Sequence, residues 1–591
     1  MESAMSLPRF VLLDNSLIEV GGHFLEHAVC LLKAAALADL QPVLATNRAF
    51  EQREAVPPGW LVYPIFRYTA LDPYSSFSAQ PEKGIVAQSR PGLRLFLKHC
   101  LGRRKRIRSF ASSCDKLFVE IGLEQDDHVC LPFCTELSLL GVLKYLNRCP
   151  DAANATWHLY YHSSCLQGRP ADWAAQERQA NGMKQALRQS EQLAEQGRLR
   201  FYATTPHVCD SLNQLSQVPF RYLPFPVEVD RQAFSTNRPV GSPLRLVLGG
   251  QPRAEKGVTD RAEYVSSLWS RGLSSGKLQL LMQQQPGTLP LEVPQKIQHG
   301  LLYNEPSPVV FAPYPLSTDG YREFLQSADV GLLMYDSEAY YSRISSVMLE
   351  LLCSGIPVIV PAGCWMGEVV AEANARYLER TSQLWQPMTV DGMPQVSQAE
   401  RQSAVGRIAG LDRQCGHIET GATRIPHGAS VWCPRFYWTG PEAPGTYLRL
   451  DVLQTDCHGE TVKHWTMVLH RSAATSLSLA LFALHTEART IHWSVSDAYA
   501  DVAPPQGQMN SRFFSRPTAV PSGAIGLVAV DRTQVPALVT EIMAHYEHYR
   551  QVAGVYGAKL AARHTVAKHM SQLLRCDTEN PCNEIGGRHC A

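Results

Sequence analysis

The sequence has almost no net charge: 55 Lys and Arg against 54 Asp and Glu leave +1 with histidine neutral. The basic excess of a general nucleic-acid binder is missing, so no nucleic-acid partner is expected. Nor does any run of about 18 apolar residues occur, which argues against a transmembrane helix. The longest candidate, 28–40, is interrupted by Lys33. No signal peptide is read at the start, where Glu2, Pro8 and Arg9 intervene and the following apolar stretch breaks at Asp14. A cytoplasmic location is therefore expected. The 16 cysteines form no dense, regular frame, as befits free thiols in a reducing compartment. Cys576, Cys582, His589 and Cys590 lack the CxxC pair of a zinc site, so no metal is expected. Asp-x-Asp, Ser/His/Asp and P-loop patterns are absent as well.

What is present is an ordinary globular composition, 45% hydrophobic and 18% charged, over 591 residues, enough for two or three domains. FVLLD (10–14) is a short apolar run of the kind a buried parallel strand needs. Gly21 and Gly22 follow it, then Phe24, Ala28, Leu31, Leu32 and Ala35 at helical spacing, then the strand pattern PVLAT (42–46). Further strands are predicted at 60–66, 129–133, 157–162 and 200–205, with helical patterns between several of them. A Pro- and Gly-containing linker follows 222–229. A second α/β pattern then starts at LRLVLGG (244–250) and runs through strands at 278–283, 309–314, 330–335 and 356–361.

From about 377 to 515 the period changes to two, as in Leu448, Leu450 and Val452 or Ile491, Trp493 and Val495. Antiparallel half-buried strands, and hence a small β-sandwich, are predicted there. Trp432, Trp438, Trp465 and Trp493 are candidate surfaces for stacking on glycans, with Trp493 in the apolar phase of its strand; protein contact is an equal alternative for this module. Helical patterning resumes at 535–553. The predicted organisation is a first lobe over 1–228, a second over 244–376 plus 523–570, an inserted β-rich module over 377–515 and a polar tail from 575 to 591.

Two segments carry chemistry. GGQPRAEKG (249–257) follows a strand and precedes a helix, so its glycines, Gly250 among them, allow close backbone approach. Helix-start N–H groups there suit a phosphate, and Arg253 and Lys256 add positive charge. The second segment is YDSEAYYSRISSVMLELLCSGIPVIVP (335–361), in which Ser345 and Ser346 open a helix carrying Glu350. Hydroxyls at a helix start suit phosphate, and a carboxylate one turn on suits ribose hydroxyls.

Together these segments resemble the second half of the retaining GT-B glycosyltransferases called group 1, or family 4. Glu255, Lys256 and Gly257 match that family's E-K-G, and Glu350, Gly355, Pro357 and Val358 match its E-x4-G-x-P-V signature. FLQSADVGLLMY (324–335) is similar to the stretch before the donor site, and GLVAVDRTQVPALVTEIMAHY (526–546) to the closing segment. The early segment 20–47 is similar to the glycine-rich loop and first helix that face the donor cleft. There His23 would touch donor or acceptor, or cap the helix.

The resemblance implies an α/β fold of two Rossmann-like lobes with a β-sandwich-like insertion in the second. It implies transfer of a sugar, with retention and without a metal or bound cofactor, from a UDP- or GDP-linked donor to a glycan, lipid-linked or small-molecule acceptor. Arg253, Lys256 and Glu350 would be the catalytic set. Gly21, Gly22, His23, Gly250, Ser345 and Ser346 would bind the donor.

This sequence departs from the family in two places. Gln251 stands where a basic residue is usual, five positions before Lys256, and Arg253 is read as its substitute. Ser342 stands where the family often has a second glutamate. A non-catalytic sugar- or partner-binding protein on a degenerate GT-B scaffold is the alternative. The basic run GRRKRIR (102–108) is either a solvated helix face or a contact with an acidic acceptor or an anionic membrane at its inner face.

Overall fold

The computed structural model of the chain describes residues 7–19, 23–70, 93–168, 173–229, 242–284, 307–313, 316–388, 417–439, 447–470, 477–497, 506–515 and 521–575. Gly21, Gly22, and Cys576, Cys582, His589 and Cys590 of the tail lie outside them.

The first lobe is a seven-stranded parallel sheet of β1 (Arg9–Asp14), β2 (Gln41–Asn47), β3 (Leu61–Phe66), β4 (His128–Leu131), β5 (Thr156–Tyr161), β6 (Leu199–Ala203) and β7 (Phe220–Tyr222). Their order is β3-β2-β1-β4-β5-β6-β7. Its helices are α1 (His23–Leu37), α2 (Leu93–Ile121), α3 (Glu136–Leu146), α4 (Glu177–Glu195) and α5 (Pro206–Asn213). The unbroken apolar run of β1 has a simple cause. Phe10 and Leu12 enter the core under α1, while Val11 and Leu13 enter the core on the opposite face.

The second lobe begins with β8 (Leu244–Leu248), α6 (Arg261–Leu268), β9 (Leu278–Gln284), β10 (Val309–Pro313), α7 (Thr318–Gln326), β11 (Val330–Leu332), α8 (Ser346–Cys353), β12 (Val358–Pro361) and α9 (Trp365–Gln383). The chain then leaves to build an all-β module. Its strands are β13 (His417–Arg424), β14 (Val431–Thr439), β15 (Tyr447–Thr455), β16 (Thr461–His470), β17 (Leu477–Leu479), β18 (Phe482–Ala483), β19 (Thr490–Asp497) and β20 (Gln506–Phe514). It returns as β21 (Gly526–Ala529), which pairs in parallel with β12 and completes the sheet order β10-β9-β8-β11-β12-β21. Three helices close the described chain: α10 (Val535–Ala544), α11 (Tyr546–Arg563) and α12 (Val566–Leu574). Two Rossmann-like lobes with an antiparallel module between β12 and β21 are thus present as expected. Among the described residues, no helix is long and apolar enough to cross a membrane.

The module is a sandwich. Sheet β13-β19-β15-β16 faces the sheet in which β14 pairs with β17, β18 and β20. Leu448, Leu450, Val452, Ile491 and Val495 of the first meet Trp432, Phe436 and Phe513 of the second. Here the tryptophan expectation needs correcting. Trp432, Trp438 and Trp493 are buried in this core and offer no stacking surface; only Trp465 is half-exposed. The other face of β14 is also covered, since Val431 and Cys433 pack with Leu378 of α9. A strand buried on both faces loses the alternation that separates core from surface.

The lobes are joined twice. Residues 224–229 lead from the first to the second, and α12 crosses back, placing Met570 and Leu573 in the core beneath α1. The crossings are tied together. His564 Nδ1 donates to the Phe225 carbonyl at 2.6 Å, His569 Nδ1 to that of Pro224 at 2.9 Å, and the Val227 amide to that of His564 at 2.9 Å.

Candidate active site

In an open parallel sheet, ligands sit beyond the carboxyl ends of the strands where the winding reverses. In the second lobe that point lies between β8 and β11. The chain leaving β8 is the 249–257 loop, and the chain leaving β11 leads to Ser345 and α8. Segments some ninety residues apart in sequence therefore meet by topology, as the resemblance implies.

Contacts lock them together. The Tyr335 hydroxyl donates to the Gly249 carbonyl at 3.2 Å, and the Asp336 amide donates to the Glu255 carbonyl at 2.8 Å. The Gly250 amide donates to Gln283 Oε1 at 2.7 Å. Gly250 has φ +97°, a conformation that L side chains rarely adopt, and a Cβ there would lie 2.7 Å from Lys256 Nζ. Glycine at 250 thus makes room for the ammonium, which sits 5.2 Å from the Tyr335 ring centroid. Burial first, and then the nearby Arg253, lower the Lys256 pKa to about 8. Such an ammonium is poorly solvated and gains from an anionic ligand.

The two departures from the family pattern each have a structural counterpart. Gln251 Oε1 accepts from Arg253 Nε at 2.8 Å and from its Nη2 as well. Glu255 adds a looser ion pair at 3.7 Å. The residue at the usual basic position thus holds the guanidinium supplied two residues later. Ser342 is buried against the first lobe, where its carbonyl accepts from Thr205 Oγ1 at 2.6 Å. Beside it, Tyr341 enters the first lobe's core and stacks on His207 with centroids 5.0 Å apart. His207 Nε2 pairs with Glu368 of α9. Burial alone pushes the imidazole down, but the Glu368 carboxylate overrides it and the net shift is upward.

Ser345 is the N-cap of α8, accepting from the Met348 amide at 3.2 Å. Ser346 opens the helix and is half-exposed. Helix geometry gives the Ser346 and Val347 amides no intrahelical acceptor, so they are candidate anion donors. One turn on, Glu350 lines a cavity of about 360 Å³ between the lobes, with Glu26, Lys33, Glu228, Tyr321 and Arg322. Burial, and next the charge of Glu26, raise its pKa to about 8, while a hydrogen bond with the Tyr321 side chain acts the other way. Gly355 of the same motif has a packing role. A Cβ there would lie 2.8 Å from Gly554 Cα, so α8 rests directly on α11.

The first lobe's reversal lies between β1 and β4. Asp14 ends β1, where its Oδ1 accepts from the Ser16 and Leu17 amides at 3.0 and 3.2 Å and burial raises its pKa to about 7. His23 is the first residue of α1. His162, just beyond β5, was not singled out from sequence. It stacks on Phe133 at 4.5 Å and lies 6.0 Å from His27, a lining residue of the interlobe cavity. Its place as the last residue of the strand pattern 157–162 is the available signal. In the basic run, Arg103 pairs with Glu136 and Arg106 lies 4.7 Å over the Tyr68 ring, while Arg104, Lys105 and Arg108 are exposed. No group of three or more His, Cys, Asp or Glu among the described residues is placed to hold a metal ion.

No family model and no curated protein matches the chain. Several solved structures are similar to it. The N-terminal domain of Candida albicans trehalose-6-phosphate phosphatase is 14% identical over 63% of this chain and 86% of its own, with a TM-score of 0.39. The α,α-trehalose 6-phosphate synthase of Burkholderia multivorans is 12% identical over 62% and 86%, with a TM-score of 0.38. WaaG, a glycosyltransferase involved in lipopolysaccharide biosynthesis, is 15% identical over 62% and 84%, with a TM-score of 0.34.

Proposed function

We propose that the chain is a retaining, metal-independent glycosyltransferase that takes a sugar from a UDP- or GDP-linked donor. The observation that carries this is the meeting of 249–257 with 335–350 at the second lobe's strand reversal, where Glu350 also lines the interlobe cavity. As the glycosidic bond breaks, negative charge grows on the departing diphosphate. Lys256, Arg253 and the amides of Ser346 and Val347 are the groups that would stabilise it, and a partly desolvated ammonium does so more strongly than one in water. Glu350 would orient the ribose. The donor phosphate is the natural destination for the acceptor proton, so no protein base is assigned. Gly21, Gly22 and His23 would bind the donor from the first lobe.

The acceptor would be a glycan, a lipid-linked sugar or a small molecule. Exposed Arg104, Lys105 and Arg108 beside exposed Leu101 suit peripheral contact with an anionic leaflet, and on this reading the enzyme would work in the cytoplasm at the membrane's inner face. Sedimentation with vesicles containing phosphatidylglycerol, in wild type and in a variant neutral at these three positions, tests that part.

The main test is calorimetric titration with UDP, GDP and their glucose and mannose conjugates, followed by hydrolysis of any conjugate that binds. Retention is read from the product's anomeric NMR signal. Absence of binding, or unchanged binding in Lys256→Ala, refutes the donor site. The alternative of a non-catalytic binding protein rests on Ser342, whose position carries no carboxylate and whose carbonyl is committed to Thr205. Tight binding without turnover of any conjugate would favour it.

A further inference from the structure

In the second lobe β8 lies between β9 and β11, and the peptide joining Gly249 to Gly250, just beyond the end of β8, is gripped from both neighbours. Its N–H donates to Gln283 Oε1 of β9 at 2.7 Å. Its C=O accepts from the hydroxyl of Tyr335, just beyond β11, at 3.2 Å. A peptide flanked by two glycines turns easily, because neither residue has a Cβ to limit its φ. Held at both ends, this one keeps Gly250 at φ +97°.

A glutamine is not what the strand itself calls for at 283. Val247 and Leu281 stand opposite each other in register, in an apolar core shared with Leu325 and Val347. Gln283, two residues on, shares that face and is only 2% exposed. A carboxamide buried there is costly unless it is hydrogen-bonded, whereas an apolar side chain would suit the core. What the amide adds is its hold on Gly250. With that N–H turned towards β9, Gly250 has no amide to offer a phosphate, and the loop presents Lys256 instead. A Cβ at 250 would lie 2.7 Å from Lys256 Nζ, so the ammonium rests against the bare α-carbon of the gripped peptide.

We propose that Gln283 is a positioning residue of the donor site: by accepting from the Gly250 amide it fixes the surface on which the Lys256 ammonium is seated, and so sets the strength of the diphosphate grip without touching the ligand. This rests on the nucleotide-sugar reading above and adds a residue that the second lobe's motifs do not contain. Loss of the acceptor would free the peptide to turn, and the ammonium would leave its desolvated seat for water. The same strand supplies a control. Gln279 Oε1 accepts from Arg245 Nε at 2.9 Å and its Nε2 donates to the Ser307 carbonyl at 3.0 Å, towards the other end of β9.

The experiment is calorimetric titration of the full chain with UDP and GDP from about pH 6 to about pH 10. The proteins are wild type, Gln283→Met, Gln283→Asn, Gln279→Met, Lys256→Ala and Gln283→Met/Lys256→Ala. Gln283→Met removes the acceptor, and Gln283→Asn keeps an amide but withdraws it by one methylene. Both should weaken the better-binding nucleotide by about tenfold or more at neutral pH. Gln279→Met should lose stability and bind like wild type. In wild type the fall in affinity should centre near the Lys256 pKa of about 8. In both Gln283 variants that midpoint should move up, towards the ordinary lysine range, a change that a merely structural glutamine would not cause. Adding Gln283→Met to Lys256→Ala should cost no further affinity, since both act through one ammonium. Wild-type affinity in the folded Gln283 variants, an unmoved midpoint, an equal loss in Gln279→Met or a full further loss in the double variant overturns the proposal and leaves the donor site standing. Circular dichroism identifies which variants are folded. Failure of wild type to bind either nucleotide overturns the donor reading and this inference with it.

Discussion

Replacing Gly250 by alanine should disable the proposed phosphate grip while leaving the fold nearly intact. The new Cβ would stand 2.7 Å from Lys256 Nζ and 3.2 Å from Val347 Cγ2. Only the far end of the flexible lysine can yield easily, so the ammonium moves off its seat. A side chain at φ +97° adds about 1–3 kcal/mol of backbone strain. Gly276 provides the control, because its φ is +68° and nothing lies within 4 Å of its would-be Cβ. Gly276→Ala should cost about 1–2 kcal/mol of stability and leave nucleotide binding unchanged. In Gly250→Ala the lost charge-assisted contact, about 1.5–3 kcal/mol, should weaken UDP or GDP roughly ten- to 150-fold. Because both changes remove the same contact, Gly250→Ala/Lys256→Ala should bind no more weakly than Lys256→Ala alone. Calorimetric titration of the four variants beside wild type decides. Wild-type affinity in Gly250→Ala, an equal loss in Gly276→Ala, or additive losses in the double variant would refute the role given to this glycine.

Titration supplies further expectations. Because the Lys256 pKa is lowered to about 8 in the empty site, diphosphate affinity should be highest below pH 8 and decline above it, a trend absent in Lys256→Ala. His569 is lowered to about 4 by burial, so the unfolded chain takes up its proton first as pH falls. Its contribution to stability is complete above about 6.5 and shrinks towards 4, and thermal melts of His569→Gln should lose stability less steeply over that window. His207 is shifted the other way, so its pairing with Glu368 is fully formed at and below about pH 6.5 and fades as pH rises through the raised value. Glu368→Gln should abolish that component, read as pH-dependent susceptibility to limited proteolysis between the lobes. Trp432→Ala, in the sandwich core, should destabilise the module by about 3–5 kcal/mol while nucleotide affinity stays at the wild-type value.

Much of the architecture was legible because buried parallel strands must be apolar on both faces, and runs such as 10–14, 42–46 and 356–361 show it. The module's alternation was legible in β15 and β19, each with one face in the sandwich core. In β14 it was not, because both faces are covered, and Trp432 and Trp438 look like surface residues when sequence is the only guide. The pairing of 249–257 with Glu350 could be read from motif order alone, since the strand reversal that joins them is a property of the topology. Contacts across the lobes left no such mark. Nothing local shows that Tyr341 enters the other lobe's core, that His564 and His569 hold the 224–227 linker, or that Glu26 and Glu350 share a cavity. Each depends on the placement of whole lobes, which one side chain's neighbours in sequence do not record.

The position of the β module between β12 and β21 constrains how the chain is made. While a ribosome extends the module, the second lobe waits with the edge of β12 unpaired, because its partner β21 emerges only after β20. The first lobe waits longer still, since Met570 and Leu573 cover its α1 face only when α12 has been synthesised. The exposed parallel edge would then persist for about 10–30 s at ordinary elongation rates, and the uncovered apolar face for longer. The module cannot shorten that wait by closing early: β15 and β16 pair locally, but β13 pairs with β19 and β14 with β20, so the sandwich is complete only just before β21 emerges. Refolding of the full chain should accordingly be slow and concentration-sensitive.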